Sequence, residues 1–134
     1  MAQFGTVSKR KLSECDEKLQ RIAYVAITGY GFTVICGSRN EVEQNTAYEN
    51  GFSTKKFPDS KHNSKPSKAM DIIPDEGGWN AGREQFILMI GIIKGVALSL
   101  GIPIRCGIDF NMDNNLRNDN FIDSAHIELI NERI

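Results

Sequence analysis

Ala69-Met70-Asp71-Ile72-Ile73-Pro74-Asp75-Glu76-Gly77-Gly78-Trp79, running on into Gly82–Leu100 (GREQFILMIGIIKGVALSL), decides how this chain is read. Residues 69–73 have strand character, and Asp75 to Gly78 carries turn residues. From Gly82 to Leu100 the chain is apolar nearly all round, so the pattern predicts a long helix at the centre of the core. Gly101 and Pro103 stop that helix. Asp71 is the exception inside an apolar strand. A carboxylate is costly to bury alone, so Asp71 needs a cationic partner.

Working toward the N-terminus, Gly51 to Lys68 contains Lys55, Lys56, Lys61, Lys65 and Lys68, two prolines and almost no periodicity. It reads as a long loop, ordered or disordered, and long loops in small domains usually carry function. Asn40 caps a predicted helix from Glu41 to about Glu49, which Gly51 ends. Phe32 to Cys36 is β-branched and apolar, a buried strand. Ser13 with Asp16 reads as a variant capping box for a helix from about Glu14 to Thr28, carrying Leu19, Ile22, Ala23 and Ala26 at helical spacing. Toward the C-terminus, Ile104 to Ile108 reads as a strand, Asp109 to Asn120 as a polar loop and Ala125 to Ile130 as a last strand. Strands and helices mix without a βαβ rhythm, so the expected class is α+β: a small, mainly antiparallel sheet with helices packed against it.

Composition narrows the function. The 134 residues suit one domain, expected to be a monomer with no separate wall-binding domain, and 40% apolar content supports one modest core. Sixteen basic against 17 acidic residues argue against a dedicated nucleic-acid binder. The lysine-rich loop has only Phe57 among its cations, and two histidines are fewer than an HNH nuclease needs. Cys15, Cys36 and Cys106, an odd number without a CxxC pair, make no disulfide framework. Cys36 and Cys106 read as small buried apolar residues, with Cys15 on the first helix. No signal segment is visible, and Lys94 interrupts the most apolar stretch, which is shorter than the roughly 20 residues of a membrane span. Synthesis in the cytoplasm without membrane insertion is expected.

Both histidines stand near carboxylates. His62 precedes Asp71 by nine residues. In Asp123-Ser124-Ala125-His126-Ile127-Glu128-Leu129, strand alternation puts His126 and Glu128 on one face. His62, Asp71 and His126 would supply two nitrogens and one oxygen, the three protein ligands of a catalytic zinc site, and Asp123 is placed to act as a base outside the ligand set. Solvated histidines in polar loops are the plainer alternative.

The paired segments Ser60-Lys61-His62…Ala69-Met70-Asp71 and Asp123-x-x-His126 resemble the signatures of the zinc D,D- and L,D-peptidases of the VanY/VanX type. More closely, the chain resembles the L-alanyl–D-glutamate endopeptidases that tailed phages use as endolysins. Pro66 in the turn, the longer interval from His62 to Asp71, and Asp rather than Glu at 123 all favour the endolysin branch. The resemblance implies one zinc held by His62, Asp71 and His126, with Asp123 taking a proton from the attacking water and returning it to the leaving amine. It also implies that Arg39 orients substrate and stabilises an oxyanion, and that Gln44 and Ser60 line or support the site; a solvated arginine stands beside the first of these. Glu128 reads either as support for His126 or as a rim salt bridge. Trp79 reads as a substrate-facing aromatic or as a core or hinge residue.

The implied partner is bacterial peptidoglycan, reached when a holin-type pore opens the membrane. A D-Ala–D-Ala carboxypeptidase of the same fold and a non-catalytic zinc-stabilised binding domain are the alternatives. Asp109, Asn111 and Asp113, followed by Asn115, Asp119 and Asn120, space oxygens as a calcium loop does, although Asn114 and Asn120 replace its usual Gly and Glu. Calcium-responsive loops occur among similar endolysins, so a calcium site is one expectation and a plain polar loop the other.

Overall fold

The structure is a computed structural model that describes residues 2–116 and 123–130. Four α-helices occur among these residues: α1 (Thr6–Ser13), α2 (Glu17–Ala26), α3 (Glu41–Glu49) and α4 (Arg83–Leu100). Four strands, β1 (Phe32–Cys36), β2 (Ala69–Pro74), β3 (Ile104–Cys106) and β4 (His126–Leu129), form one antiparallel sheet in the order β1-β2-β4-β3. The expected α+β class is what the chain adopts.

Register explains how the sheet divides its labour. Met70 pairs with Ile127, Ile72 with Val34 and Cys106 with Ile127, so these side chains share one face. They pack with Leu12, Leu19, Ile22, Met89 and Ile93 in the core. Asp71 pairs with His126, and Arg105 with Glu128, which puts four polar side chains on the opposite face. The core therefore lies between sheet and helices, and the polar face is left for chemistry.

Several boundaries differ from the sequence reading. The helix predicted from Glu14 to Thr28 is α2, three residues later at its start and two shorter at its end, and α1 precedes it at Thr6–Ser13, where no helix was predicted. Ser13 caps nothing: its hydroxyl donates back to the Arg10 carbonyl, and Asp16 caps α2 by accepting from the Lys18 amide at 2.9 Å. The break has a cause. Ser67 donates its amide to Glu14 O and accepts from Asp16 N, each at 2.8 Å, and these backbone groups cannot also serve a continuous helix. Cys15 sits in that junction and not on a helix.

Helix α4 has the predicted span but one buried face, formed by Phe86, Met89, Ile90, Ile93 and Ala97, while Ile87, Leu88 and Leu98 are exposed. It packs against α2, β2 and β3 on one side, so it flanks the core and does not form its centre. Helix α3 has the predicted Asn40 cap, completed by Glu43 as a reciprocal capping box. Strand β3 ends at Cys106 because Gly107 turns the backbone, and β4 is one residue shorter at each end than predicted. Asp119 and Asn120 of the predicted polar loop lie outside the described residues. No helix among the described residues is long and apolar enough to cross a membrane.

Candidate active site and metal centre

The loop from Gly51 to Lys68 is ordered by backbone bonds within it and to the segment after β1. The Arg39 amide donates to His62 O at 2.8 Å, and the Lys68 amide donates to Lys61 O at 3.0 Å. Within it, Lys61–Asn63 forms one 3-10 turn whose N-cap, Ser60, accepts from the His62 amide at 3.2 Å. That turn delivers His62 beneath the polar face of the sheet, where it is 1% exposed.

His62 has a defined ring orientation. Its Nδ1 lies 2.7 Å from the Gly37 carbonyl, which can only accept, so the proton sits on Nδ1. Nε2 is then left facing Asp71 Oδ1 at 3.2 Å. His126 approaches the same oxygen from β4, with Nδ1 at 3.3 Å, and its Nε2 lies 2.9 Å from Glu128 Oε1. Arg39 Nη2 holds the second oxygen, Asp71 Oδ2, at 3.1 Å. Asp71 is thus buried with three partners, which answers the need for a cation that its setting in an apolar strand creates.

Gln44 is fully buried and ties the surrounding loops together. Its amide donates to Ser53 Oγ at 2.9 Å and Lys55 O at 2.7 Å, and its carbonyl accepts from Asn63 at 3.2 Å and Arg39 at 3.4 Å. It supports Arg39 and the His62 turn from behind rather than lining the cleft. Arg39 is not a solvated arginine.

Two clusters of ligand-type side chains share Asp71: Cys36–His62–Asp71 and Asp71–Asp123–His126, with the ligand atoms of each within 4.8 Å of one another. Cys36 Sγ lies 3.7 Å from His62 Nδ1, the nitrogen already committed to Gly37. Its place is therefore behind His62, and it is half-buried at the site rather than the plain apolar residue expected. Cys15 and Cys106 are buried, all three thiols are free, and burial pushes both of these up to about 12.

Electrostatics follow the same geometry. Burial opposes charge on Asp71, but hydrogen bonds from His126 and His62 outweigh it and hold the carboxyl far below the usual range. Burial works against a charged His62 as well, and its bonds to Asp71 and Cys36 carry it up to about 10. His126 is also raised, by Asp71 and Glu128 against burial. Asp123 moves the other way from Asp71: burial, then the Asp71 charge, raise its pKa. Among the carboxylates at this face, the proposed base is the one that holds a proton more readily than usual.

These groups open onto a cleft of about 480 Å³ lined in part by Arg39, Ser60, His62, Asp123, His126 and Phe110. Lys55 and Lys61 line it too, whereas Lys68 pairs with Asp16 and Lys56 stacks over Tyr48. The lysine loop is a basic rim only in part. Trp79, 68% exposed, belongs to a 3-10 turn (Gly78–Asn80) and neither lines this cleft nor enters the core.

The predicted calcium loop is built of side chains turned onto local backbone. Asp109 Oδ2 accepts from the Asn114 amide at 2.8 Å, Asn111 Oδ1 from Asp113 at 3.2 Å, and Asp113 Oδ1 from Asn115 at 2.8 Å. Asp109 is buried, and its Oδ1 has no hydrogen-bond partner among the described residues.

Two glycines that the sequence reading passed over make the site possible. Gly37 offers the carbonyl that orients His62, and a Cβ there would lie 2.4 Å from Lys11 O. Gly107 lies against the Asp123 backbone, where a Cβ would be 2.0 Å from its carbonyl oxygen. Nothing local in one sequence marks either, because the close approach is made by segments far apart in the chain.

The crystal structure of the Serratia marcescens L-Ala D-Glu endopeptidase ChiX superposes with a TM-score of 0.74 at 19% identity, covering 96% of this chain and 90% of that one, which shows a shared fold. No curated protein matches the chain. The family model for phage L-alanyl-D-glutamate peptidases matches residues 1–130. The chain belongs to the phage L-alanyl-D-glutamate peptidase family.

Proposed function

We propose that this protein is a zinc-dependent endolysin that hydrolyses the L-Ala–D-Glu bond of the peptidoglycan stem peptide during phage lysis. Family membership supports the bond. The metal rests on one observation: Asp71 Oδ1 stands 3.2 Å from His62 Nε2 and 3.3 Å from His126 Nδ1. Two imidazole nitrogens and one carboxylate oxygen converging beside a cleft is the donor chemistry of a catalytic zinc site. The donors fit, and zinc when bound supplies Lewis-acid polarisation that makes attack by water feasible at neutral pH.

The chain's own groups do the rest. Asp123 accepts a proton from the water that attacks the L-Ala carbonyl carbon, and passes it to the D-Glu nitrogen as the C–N bond breaks. Its raised affinity for a proton suits that double duty. Arg39, fixed by Asp71 and Gln44, lines the cleft and faces charge developing on the carbonyl oxygen. Ser60 holds the His62 turn in place. Lys55 and Lys61 give the cleft a basic rim suited to the carboxylates of a stem peptide. The enzyme acts as a monomer and reaches the wall through a holin-type pore.

Digestion of purified peptidoglycan followed by mass spectrometry tests the reading. New amino groups on D-Glu and new carboxyl groups on L-Ala are expected. Free D-Ala as the main product would replace the reading with a carboxypeptidase, and zinc binding without hydrolysis would replace it with a binding domain. Calcium at Asp109, Asn111 and Asp113 is a further part of the proposal, supported by a buried Asp109 oxygen that meets no hydrogen-bond partner among the described residues. Millimolar calcium should raise the melting temperature, and Asp113→Ala should abolish that response with zinc retained. No calcium binding by calorimetry would leave a polar loop.

A further inference from the structure

Glu128 is 4% exposed on the polar face of the sheet, two residues beyond His126 on the same strand. Its two oxygens have separate partners. Oε2 takes both cations, Arg105 Nη2 at 2.9 Å and Lys61 Nζ at 3.4 Å, while Oε1 is left to His126 Nε2 at 2.9 Å. A carboxylate engaged in a rim salt bridge would sit in solvent; this one is enclosed. Its surroundings are fixed from two other elements. Arg105 is its direct partner across the β3–β4 ladder, and Lys61, in the His62 turn, also donates to Leu129 O.

We propose that Glu128 is a positioning residue: it holds the His126 ring proton on Nε2 and so presents Nδ1 to the site that Asp71 shares. The reasoning is stereochemical. An ionised carboxylate only accepts, so the ring nitrogen it meets carries a proton; Nδ1 faces the Asp71 carboxylate as well, and when a metal takes the Nδ1 lone pair the one ring proton left is the one that Glu128 holds on Nε2. His62 gets the same service from the Gly37 carbonyl, with the two nitrogens exchanged. The two histidines are therefore oriented by different devices, a backbone carbonyl for Nδ1 and a carboxylate for Nε2. Only the second can be removed by a side-chain substitution. Lys61 and Arg105 prevent the carboxylate from rotating Oε1 away from the ring. Groups that orient a metal-ligating histidine in this way typically contribute about 10–100-fold in metal affinity.

This inference rests on the zinc reading above, and the test separates the two. Zinc affinity of the full chain is measured by chelator competition for wild type and Glu128→Leu, which leaves no acceptor for Nε2, alongside long-range ¹H–¹⁵N spectra of the zinc-loaded wild type. Affinity about 10–100-fold weaker in the variant is expected. The His126 proton is expected on Nε2, in a strongly hydrogen-bonded, downfield position. Affinity within twofold of wild type, or a His126 proton on Nδ1, would overturn the role of Glu128 and leave the zinc reading standing. A wild type that binds no zinc would overturn both. The wild-type spectrum needs no variant, so a misfolded Glu128→Leu does not spare the proposal.

Discussion

Gly107 and Asp123 are in backbone contact so close that no side chain fits between them. The Asp123 amide donates to Gly107 O at 2.9 Å, the Gly107 amide donates to His126 O at 2.7 Å, and a Cβ on residue 107 would stand 2.0 Å from Asp123 O and 2.9 Å from His126 Cβ. The turn after β3 thus sets the positions of both His126 and Asp123. Gly107→Ala should move Asp123 and His126 together, lowering turnover at least tenfold and destabilising the fold by about 1–3 kcal/mol. Gly95→Ala is the control. It lies on α4 with nothing within 4 Å of a new Cβ, and it should be neutral or stabilising by up to ~1 kcal/mol. Equal effects of the two substitutions on thermal melting and turnover would show that the close approach does not matter.

Asp123→Asn should keep zinc and fold while turnover drops by about 10²–10⁴-fold, the usual contribution of general acid–base catalysis. The amide still hydrogen-bonds a water but accepts no proton. Loss of zinc in this variant would make Asp123 a ligand instead of a base. Unchanged turnover with zinc retained would pass the proton to another group.

Removing any one of His62, Asp71 and His126 as alanine should remove zinc, whereas Cys36→Ser should retain it. Cys36 meets His62 on its protonated Nδ1 side, away from the shared Asp71 oxygen. Metal analysis after dialysis decides it. Full occupancy in an alanine variant takes that residue out of the ligand set, and zinc loss in Cys36→Ser puts the thiol in.

The metal-free protein should be most heat-stable between about pH 4.5 and 6.5. Glu128 is held down to about 2 from an ordinary 4.5: burial opposes this, but the His126 bond and nearby cations prevail. Its stabilisation is complete above 4.5 and is lost as pH falls toward 2; Asp71, also lowered, acts in the same direction. Asp123, raised, works against them, one group against two. His62 is raised from 6.5 to about 10, so its contribution is full below 6.5 and is lost as pH rises through 10. Zinc replaces protons on the histidines, so the alkaline loss should disappear on loading. Calorimetric melting from pH 3 to 10, with and without zinc, measures both limbs. A flat metal-free profile would contradict the ion cluster.

The sequence by itself determined the class, the approximate positions of the four strands, the α3 cap and the span of α4, because alternation, helical spacing and turn chemistry are local. It also determined which side chains could form the site: Asp71 stood out as a charge in an apolar strand, and His126 and Glu128 fell on one face two residues apart. The tertiary structure alone decided where α1 ends and α2 begins, since Ser67, some fifty residues away, claims the backbone groups at Glu14 and Asp16. It also decided which face of α4 is buried, because an all-round apolar pattern carries no direction. The assignment of partners to each oxygen of Asp71 and Glu128 has the same origin. Those contacts join Arg39 beyond β1, the His62 turn, β2, β3 and β4, and the register that brings Asp71 opposite His126 and Arg105 opposite Glu128 exists only once distant strands have paired.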